Sequence, residues 1–341
     1  MVWGDIFKKY PEMISQLPPD ATVVAWDYGP TQDYNPLLKP FANSPVRKFI
    51  ATGVTIWDQV SPDFNLSFQN IDEFLATGRQ YGVTGMMNTI WYDDAQVLAR
   101  SSYPGIAYGA AAAWQSEPLP RAHFFSEYAR QMYSPFVAPW VAPALEDLAQ
   151  AETHLQNVLG LDSMISFWRD PLAPDRLESA RAHRDDLHQT RLLAEDAQEK
   201  LMRALAFGKD PSGTLSSFLV QARMLDYAAM KNLYAVEIAD FWRQLGEHPK
   251  REDLGFTLFA EINYHDHGRT ADLMDAITEL REPYRAAWLE AYTPYRLEAA
   301  LGKWDAEFQY WWKLKLRLDS FEANFHDGDP LPPLESLSPD H

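Results

Sequence analysis

One largely apolar run decides the fold class of this chain: Lys48-Phe49-Ile50-Ala51-Thr52-Gly53-Val54-Thr55-Ile56, which ends in Trp57-Asp58. The run lacks the strict alternation of apolar and polar residues that a half-exposed strand shows. Its pattern is typical of a strand buried on both faces, as in a parallel sheet. The sequence therefore predicts a central parallel strand whose carboxyl end carries an aromatic residue followed by an acid.

Similar runs occur on both sides of this strand within the first third of the chain. They cover residues 21–26 and 83–90, and residues 1–3 resemble the tail of another strand. Helical patterns over residues 6–16 and 71–81 separate them, with Asn70 as the expected N-cap of the second helix. One strand and one helix in about every 25–35 residues is typical of repeated βα units around a parallel sheet.

Beyond Trp114 the strand signal ends and long helical patterns begin. They cover residues 144–159, 175–207, 215–245 and 270–325. We expect Pro283 and Pro294 to break or kink the last pattern. An apolar stripe for helix packing runs through it, formed by Trp304, Phe308, Trp311, Trp312 and Leu316.

These patterns predict two unlike regions and a tail. Residues 1–135 are expected to form an α/β domain, residues 140–326 an α-helical domain, and residues 327–341 an acidic tail rich in proline. The helical domain offers a surface for homodimerisation.

Composition narrows the range of functions. The 341 residues include no Cys, which excludes disulfides, thiolate metal sites and cysteine nucleophiles. The 30 basic and 48 acidic residues leave a net charge of −18, and no basic patch interrupts it, so nucleic acid and anionic membrane surfaces are unfavourable partners. No signal peptide is visible and no apolar stretch is long enough to span a bilayer, so a cytoplasmic location is the default expectation.

An aromatic residue and an acid follow each predicted strand. The motifs are Trp3-Gly4-Asp5, Trp26-Asp27-Tyr28, Trp57-Asp58 and Trp91-Tyr92-Asp93-Asp94. Because ligands of parallel α/β folds bind at the carboxyl ends of the strands, we expect these motifs to share one site. Indole faces stack on the C–H faces of a pyranose, and carboxylates accept hydrogen bonds from its hydroxyls. A single Trp at a strand end is more often a core residue and a single Asp more often a helix cap, but the fourfold recurrence favours a carbohydrate pocket.

The same motifs resemble glycoside hydrolase family 20, the β-N-acetylhexosaminidases, over residues 1–114. The four strand ends are similar to strands five to eight of that family's (β/α)₈ barrel. The segment Tyr103-Pro104-Gly105-Ile106-Ala107-Tyr108-Gly109-Ala110 is similar to its eighth helix. The resemblance implies the C-terminal half of a TIM barrel followed by the long-helix bundle, and a glycosidase that acts on terminal N-acetylhexosamine.

The resemblance also implies roles for individual residues. Trp3, Trp26 and Trp91 would wall the pocket for the N-acetyl group. Asp93 would hold the outer hydroxyls of the sugar, with Asp94 as its close competitor.

The seventh-strand motif departs from the family pattern. Asp58 matches an acid of that strand, but the tyrosine that contacts the acetamide carbonyl in the family is absent at the matching place. Tyr28 and Trp57 are the available substitutes.

The resemblance places the catalytic residues outside this sequence. The family uses an Asp-Glu pair at the end of its fourth strand, and the acetamide of the substrate acts as the nucleophile, an exception to the two-carboxylate scheme. No strand precedes Met1, and a full barrel takes about 250 residues. We therefore expect a fragment with weak or no activity of its own, with the pair encoded upstream in the same reading frame.

Two other functions remain open at this stage. One is a non-catalytic carbohydrate-binding protein that uses the same pocket. The other is a different (β/α)₈ glycosidase with Asp58 and Asp93 as its acid pair. Turnover of an aryl N-acetylglucosaminide by the isolated chain would favour the latter.

Metal and cofactor motifs are weak. In His265-Asp266-His267 the two histidines are two residues apart and do not share a helix face. Asp185-Asp186-Leu187-His188 lacks the second Glu-x-x-His repeat of a diiron bundle. No glycine-rich phosphate loop, nucleophile elbow or His-Glu-x-x-His motif occurs. We expect no metal, no cofactor and a carbohydrate as the partner.

Overall fold

The computed structural model describes residues 1–29, 31, 33–93, 96–208, 210, 212–263 and 268–339. Within these residues four strands form one parallel sheet in the order β1-β2-β3-β4, and most of the remaining chain is helical. The strands are β1 Val2–Trp3, β2 Thr22–Trp26, β3 Arg47–Val54 and β4 Gly85–Ile90. In the register Trp3 lies opposite Val24 and Trp26 opposite Ala51. All four carboxyl ends therefore meet at one edge of the sheet.

Helices accompany the strands in the first part of the chain. They are α1 Ile6–Lys9, α2 Asn35–Leu38, α3 Phe64–Gln80 and α4 Tyr103–Trp114, with 3₁₀ turns at Pro11–Gln16, Lys39–Phe41 and Ala99–Ser102. Asp63 caps α3, since its Oδ1 accepts a hydrogen bond from the Leu66 amide at 2.8 Å. The expectation that Asn70 caps this helix is wrong, because α3 begins six residues earlier and Asn70 is buried within it.

The rest of the chain is helical. The helices are α5 Arg121–Met132, α6 Ala138–Leu159, α7 Ser163–Phe167, α8 Pro174–Ala182, α9 Arg184–Phe207, α10 Thr214–Gln244, α11 Arg251–Thr257, α12 Arg269–Ala291 and α13 Leu297–Asn324, with a π turn at Leu258–Ile262 and a 3₁₀ turn at Leu334–Leu337. Pro283 lies inside α12, whereas Pro294 falls between α12 and α13. Trp304 and Trp311 are fully buried, but Trp312 and Leu316 are exposed, so only part of the predicted stripe packs.

The predicted fold class, half of a TIM barrel followed by a bundle, is wrong. The sheet is one small open layer in a mostly helical molecule. Helix α3 packs on β3, α6 packs on α5 and α9, and α10 packs on α9 and α12. One hydrophobic cluster accordingly includes Ile50 of β3 and Trp311 of α13. The strand pattern indicated a parallel sheet, but it carries no information about the layers of helices that cover the sheet.

The division of the chain into two domains at residues 135–140 stays a prediction. Among the described residues, no helix has both the length and the apolar character that crossing a membrane requires.

Candidate functional site

A cavity of about 740 Å³ opens at the carboxyl edge of the sheet. Each lining residue either ends a strand or lies within three residues of a strand end: Trp3, Asp5, Trp26, Asp27, Tyr28, Gly29, Trp57, Trp91 and Asp93. The parallel direction of the four strands brings these motifs together, although up to 90 positions separate them in the sequence. The cavity lies in the size range of small-molecule sites, about 300–1,000 Å³.

Tyr28 is the centre of the aromatic wall. Its ring centroid lies 5.1 Å from that of Trp26, 6.1 Å from that of Trp57 and 6.2 Å from that of Trp91. The absence of a side chain at Gly53 makes room for the Tyr28 ring. A Cβ atom at residue 53 would lie 3.0 Å from Cβ and Cδ1 of Tyr28. The ring therefore packs directly against the backbone of β3.

The indoles around Tyr28 keep much of their surface accessible. Trp3 is 43% exposed, Trp26 38% and Trp91 44%. Core tryptophans are not exposed to this degree, as the fully buried Trp304 and Trp311 illustrate. A contiguous set of exposed aromatic faces in a concave site is typical of a binding surface.

Three carboxylates complete the lining. Asp5 Oδ1 accepts a hydrogen bond from Trp26 Nε1 at 3.3 Å, and Asp27 Oδ1 accepts one from the Gly29 amide at 3.1 Å. Asp93 lies exposed beside Trp91. The cavity thus combines flat apolar faces with hydrogen-bond acceptors and a negative charge.

Asn70 fixes the two central strands at this edge. From α3 its Oδ1 accepts a hydrogen bond from the Gly53 amide at 3.0 Å, while its Nδ2 donates to the Asp27 carbonyl at 2.9 Å and to the Tyr34 hydroxyl at 2.9 Å. The buried amide therefore sets the backbone on which Asp27 and Tyr28 stand. Sequence reasoning missed this role because it placed Asn70 before the helix as an N-cap, whereas Asn70 lies inside α3.

Two helical regions support the loops that carry the other lining residues. The loop after β3, which holds Trp57, contacts α6 and α7, as in the hydrogen bond from the Met164 amide to the Asp58 carbonyl at 2.8 Å. The segment that follows Trp91 and Asp93 contacts α12 and Tyr292, the residue directly after that helix. There the Tyr284 hydroxyl donates to the Gln96 carbonyl at 3.0 Å and the Tyr292 hydroxyl to the Val97 carbonyl at 3.0 Å.

The buried Gln96 side chain, in the segment after β4, is also hydrogen-bonded to the helical region. Its Oε1 accepts hydrogen bonds from Trp168 Nε1 at 3.1 Å and from Lys303 Nζ at 2.7 Å. Residues far along the chain thus hold the segment that follows Trp91 and Asp93. No local sequence signal indicated these contacts.

The structure brings most of the predicted site residues together. Those that line the cavity are Trp3, Trp26, Tyr28, Trp57, Trp91 and Asp93. Asp58 is not among the lining residues, and its backbone is bound on the side of α7. Asp94 lies outside the described residues. Asp5, Asp27 and Gly29 join the lining, and the strand-end motifs had already marked the two acids.

No group of three or more His, Asp or Glu side chains with the spacing of a metal site occurs in the described part of the chain. The segment 265–267 lies outside it. Asp186 pairs with histidines instead: its Oδ1 lies 2.7 Å from His154 Nδ1 and its Oδ2 3.2 Å from His183 Nδ1. The hydrogen bond with His154 holds the pKa of Asp186 below its ordinary value.

The comparisons with known proteins concern the fold. No protein-family model matches the chain, and no curated protein matches it. A solved structure described as a "GH138 enzyme targeting pectin rhamnogalacturonan II" is similar, with a TM-score of 0.51 and 10% identity over 92% of this chain and 47% of that chain. The chain therefore shares its fold with part of that structure and spans about half of its length. Membership of family 20 gains no support from this likeness.

Proposed function

We propose that the cavity at the carboxyl edge of the sheet is the carbohydrate-binding site of a glycoside hydrolase. The observation that carries the proposal is the lining of four tryptophans, one tyrosine and three carboxylates. Sugars present apolar C–H faces and many hydroxyl donors, and this lining offers a partner for each. The likeness in fold to a GH138 enzyme supports the same class of ligand.

The charge of the lining favours a neutral sugar. Asp5, Asp27 and Asp93 would repel a uronate or a phosphorylated ligand, and the net charge of −18 adds to that repulsion. The aromatic faces could also stack on a nucleobase, but the phosphates of a nucleotide would meet the same carboxylates.

An N-acetylhexosamine is the finer proposal. Trp26, Trp57 and Trp91 surround Tyr28, and no hydrogen bond to the tyrosine hydroxyl occurs among the described residues. An acetamide would place its methyl group against the indoles and accept a hydrogen bond from this hydroxyl. We assign the lining residues to binding and assign no catalytic role to any of them.

Titration calorimetry with a matched pair of variants tests the binding site. In Trp91→Ala the lost aromatic face should weaken N-acetylglucosamine binding at least about tenfold, equivalent to ~1.4 kcal/mol. Trp114→Ala removes an indole that is 90% exposed at the end of α4, outside the cavity, and should bind as the wild type does. Equal affinities of wild type and Trp91→Ala would contradict the proposal.

The choice of ligand tests the finer proposal. N-acetylglucosamine or N-acetylgalactosamine should bind more tightly than glucose or galactose, and Tyr28→Phe should remove that preference. Galacturonate and choline serve as anionic and cationic controls. Tighter binding of choline than of any sugar would instead indicate an aromatic cage for cations. Hydrolysis of aryl glycosides by the chain would separate an enzyme from a non-catalytic binding protein.

A further inference from the structure

The Trp57 loop, residues 56–62, carries Trp57 into the cavity and is closed at its base. The Asp63 amide donates a hydrogen bond to the Thr55 carbonyl at 2.9 Å. The Thr55 amide in turn donates to Ser67 Oγ of α3 at 2.8 Å. The ends of the loop are therefore held by the sheet and α3, and the position of its tip depends on other contacts.

Each of the four residues after Trp57 is hydrogen-bonded to the segment formed by α6, α7 and their connection. The bonds run from Met164 N to Asp58 O at 2.8 Å, from Gln59 Nε2 to Leu161 O at 2.9 Å, from Val60 N to Ser163 Oγ at 3.0 Å and from Ser61 N to Glu152 Oε2 at 3.0 Å. The loop tip is thus built on residues about 90–105 positions further along the chain.

Glu152 of α6 links these bonds. Its Oε2 accepts from the Ser61 amide, and its Oε1 accepts from Ser163 Oγ at 2.5 Å and from Gln156 Nε2 at 3.1 Å. The side chain is fully buried, and no Lys or Arg in the described part of the chain forms an ion pair with it. All three of its hydrogen-bond partners are donors, an arrangement that suits its ionised form.

Burial opposes that ionised form. It raises the pKa of Glu152 to about 7, against the hydrogen bonds from Ser163 and Ser61, which lower it. The charged group that faces Glu152 from the loop side is Asp63, whose negative charge raises the pKa further. Burial also raises the pKa of Asp63, while the hydrogen bond from the Leu66 amide and, to a smaller extent, the positive charge of Arg121 lower it. Among the described residues of α7 and of its own helix, the groups that donate hydrogen bonds to Glu152 are the neutral Ser163 and Gln156.

We propose that Glu152 is a positioning residue for the cavity: its carboxylate accepts the Ser61 and Ser163 hydrogen bonds that hold the Trp57 loop, and its protonation loosens Trp57. When the carboxyl is protonated, one of its two oxygens becomes a hydrogen-bond donor. One of the three groups that donate to the carboxylate then loses its acceptor. The effect on sugar binding rests on the proposed function, whereas the movement of Trp57 does not.

Fluorine NMR of protein labelled with 5-fluorotryptophan tests the proposal on the full chain. The Trp57 resonance, assigned with Trp57→Phe, should move with a midpoint near pH 7 between pH 5.5 and 8.5. In Glu152→Gln, which stays neutral, the movement should disappear. Glu146→Gln changes another glutamate of the same helix and should titrate as the wild type does. A resonance that stays still in the wild type, or that titrates equally in Glu152→Gln, would overturn the proposal.

A second variant keeps the test independent of how well Glu152→Gln folds. Ser163→Ala removes a donor to the carboxylate and should shift the midpoint of Trp57 to higher pH. An unchanged midpoint would count against Glu152 as the titrating group.

Sugar titrations separate the two proposals. If Glu152 acts through Trp57, the affinity for N-acetylglucosamine should fall several-fold from pH 8 to pH 6 in the wild type and stay level in Glu152→Gln. Absence of sugar binding together with a titrating Trp57 would overturn the proposed function and leave the role of Glu152 standing.

Discussion

At the scale of single residues, the buried carboxylates of Glu307 and Glu152 differ in the charge of their hydrogen-bond partners. Glu307 of α13 accepts a hydrogen bond from Lys231 Nζ at 3.0 Å and others from the Tyr227 hydroxyl and Trp311 Nε1. A cation therefore compensates its charge in the centre of the helical part. Glu152 has neutral donors alone among the described residues, so its charge is costly although its hydrogen bonds are satisfied.

This difference predicts a pH-dependent stability. Because the pKa of Glu152 rises from 4.5 to about 7 on folding, the folded protein retains a proton that the unfolded chain releases between these values. The contribution of Glu152 to the free energy of unfolding therefore falls as the pH rises from about 4.5 to about 7. Between pH 5.5 and 8, the free energy of unfolding of Glu152→Gln should gain on the order of 2 kcal/mol relative to the wild type.

Urea denaturation at several pH values measures this gain. Glu146→Gln should keep a constant difference from the wild type over the same range. Parallel curves for Glu152→Gln and the wild type would show that Glu152 is already ionised across the range.

At the scale of elements, α4 approaches the sheet unusually closely. A Cβ atom on Gly105 would lie 2.5 Å from Val54 Cγ1, and one on Gly109 would lie 2.2 Å from Asn88 Nδ2. Asn88 Nδ2 donates to the Gly105 carbonyl at 3.1 Å, while Thr52 Oγ1 donates to Asn88 Oδ1 at 3.1 Å. The two glycines, four residues apart on one face of α4, permit this contact between helix and strand.

Two glycine-to-alanine changes in helices should therefore have opposite effects. Gly109→Ala should lower the free energy of unfolding by about 1–3 kcal/mol, because its new methyl group overlaps Asn88. In Gly302→Ala of α13, no neighbouring atom lies within 4 Å of the new Cβ. This change should raise the free energy of unfolding by up to about 1 kcal/mol, because alanine has the higher helix propensity. Thermal and urea denaturation of both variants measure this difference. A stabilised Gly109→Ala would show that α4 lies further from β4.

At the scale of the whole molecule, the long helices support the loops that line the cavity. Helices α6 and α7 hold the Trp57 loop, and α12 holds the segment that follows Trp91 and Asp93. One hydrophobic cluster runs from the sheet into the long helices. The helical part therefore acts as a support for the cavity, and its stability is coupled to that of the sheet.

This coupling predicts a single cooperative unfolding transition. Tryptophan fluorescence, to which the four cavity tryptophans and the eight others contribute, should change at the same urea concentration as far-ultraviolet circular dichroism, which reports mainly on the helices. Two separate transitions would contradict the coupling and would support independent domains at residues 1–135 and 140–326.

The sequence by itself determined where the strands lie and which side chains meet at their carboxyl edge. Buried parallel strands have a local apolar pattern, and their common direction places Trp3, Trp26, Trp57 and Trp91 at one edge. The helical character of the later region also follows from local periodicity. The roles of these tryptophans in sugar binding stay a prediction.

Only the tertiary structure decided the fold class, the placement of Asp58 outside the cavity and the supporting roles of Asn70, Gln96 and Glu152. The contacts of Gln96 and Glu152 with the opposite region join residues that are separated by about 70–210 positions. Hydrogen bonds and layer packing across such separations depend on how whole elements stack, and no local pattern of residues encodes that stacking. The aromatic cavity was therefore visible in the chain, whereas the contacts by which the helices hold it in shape were not.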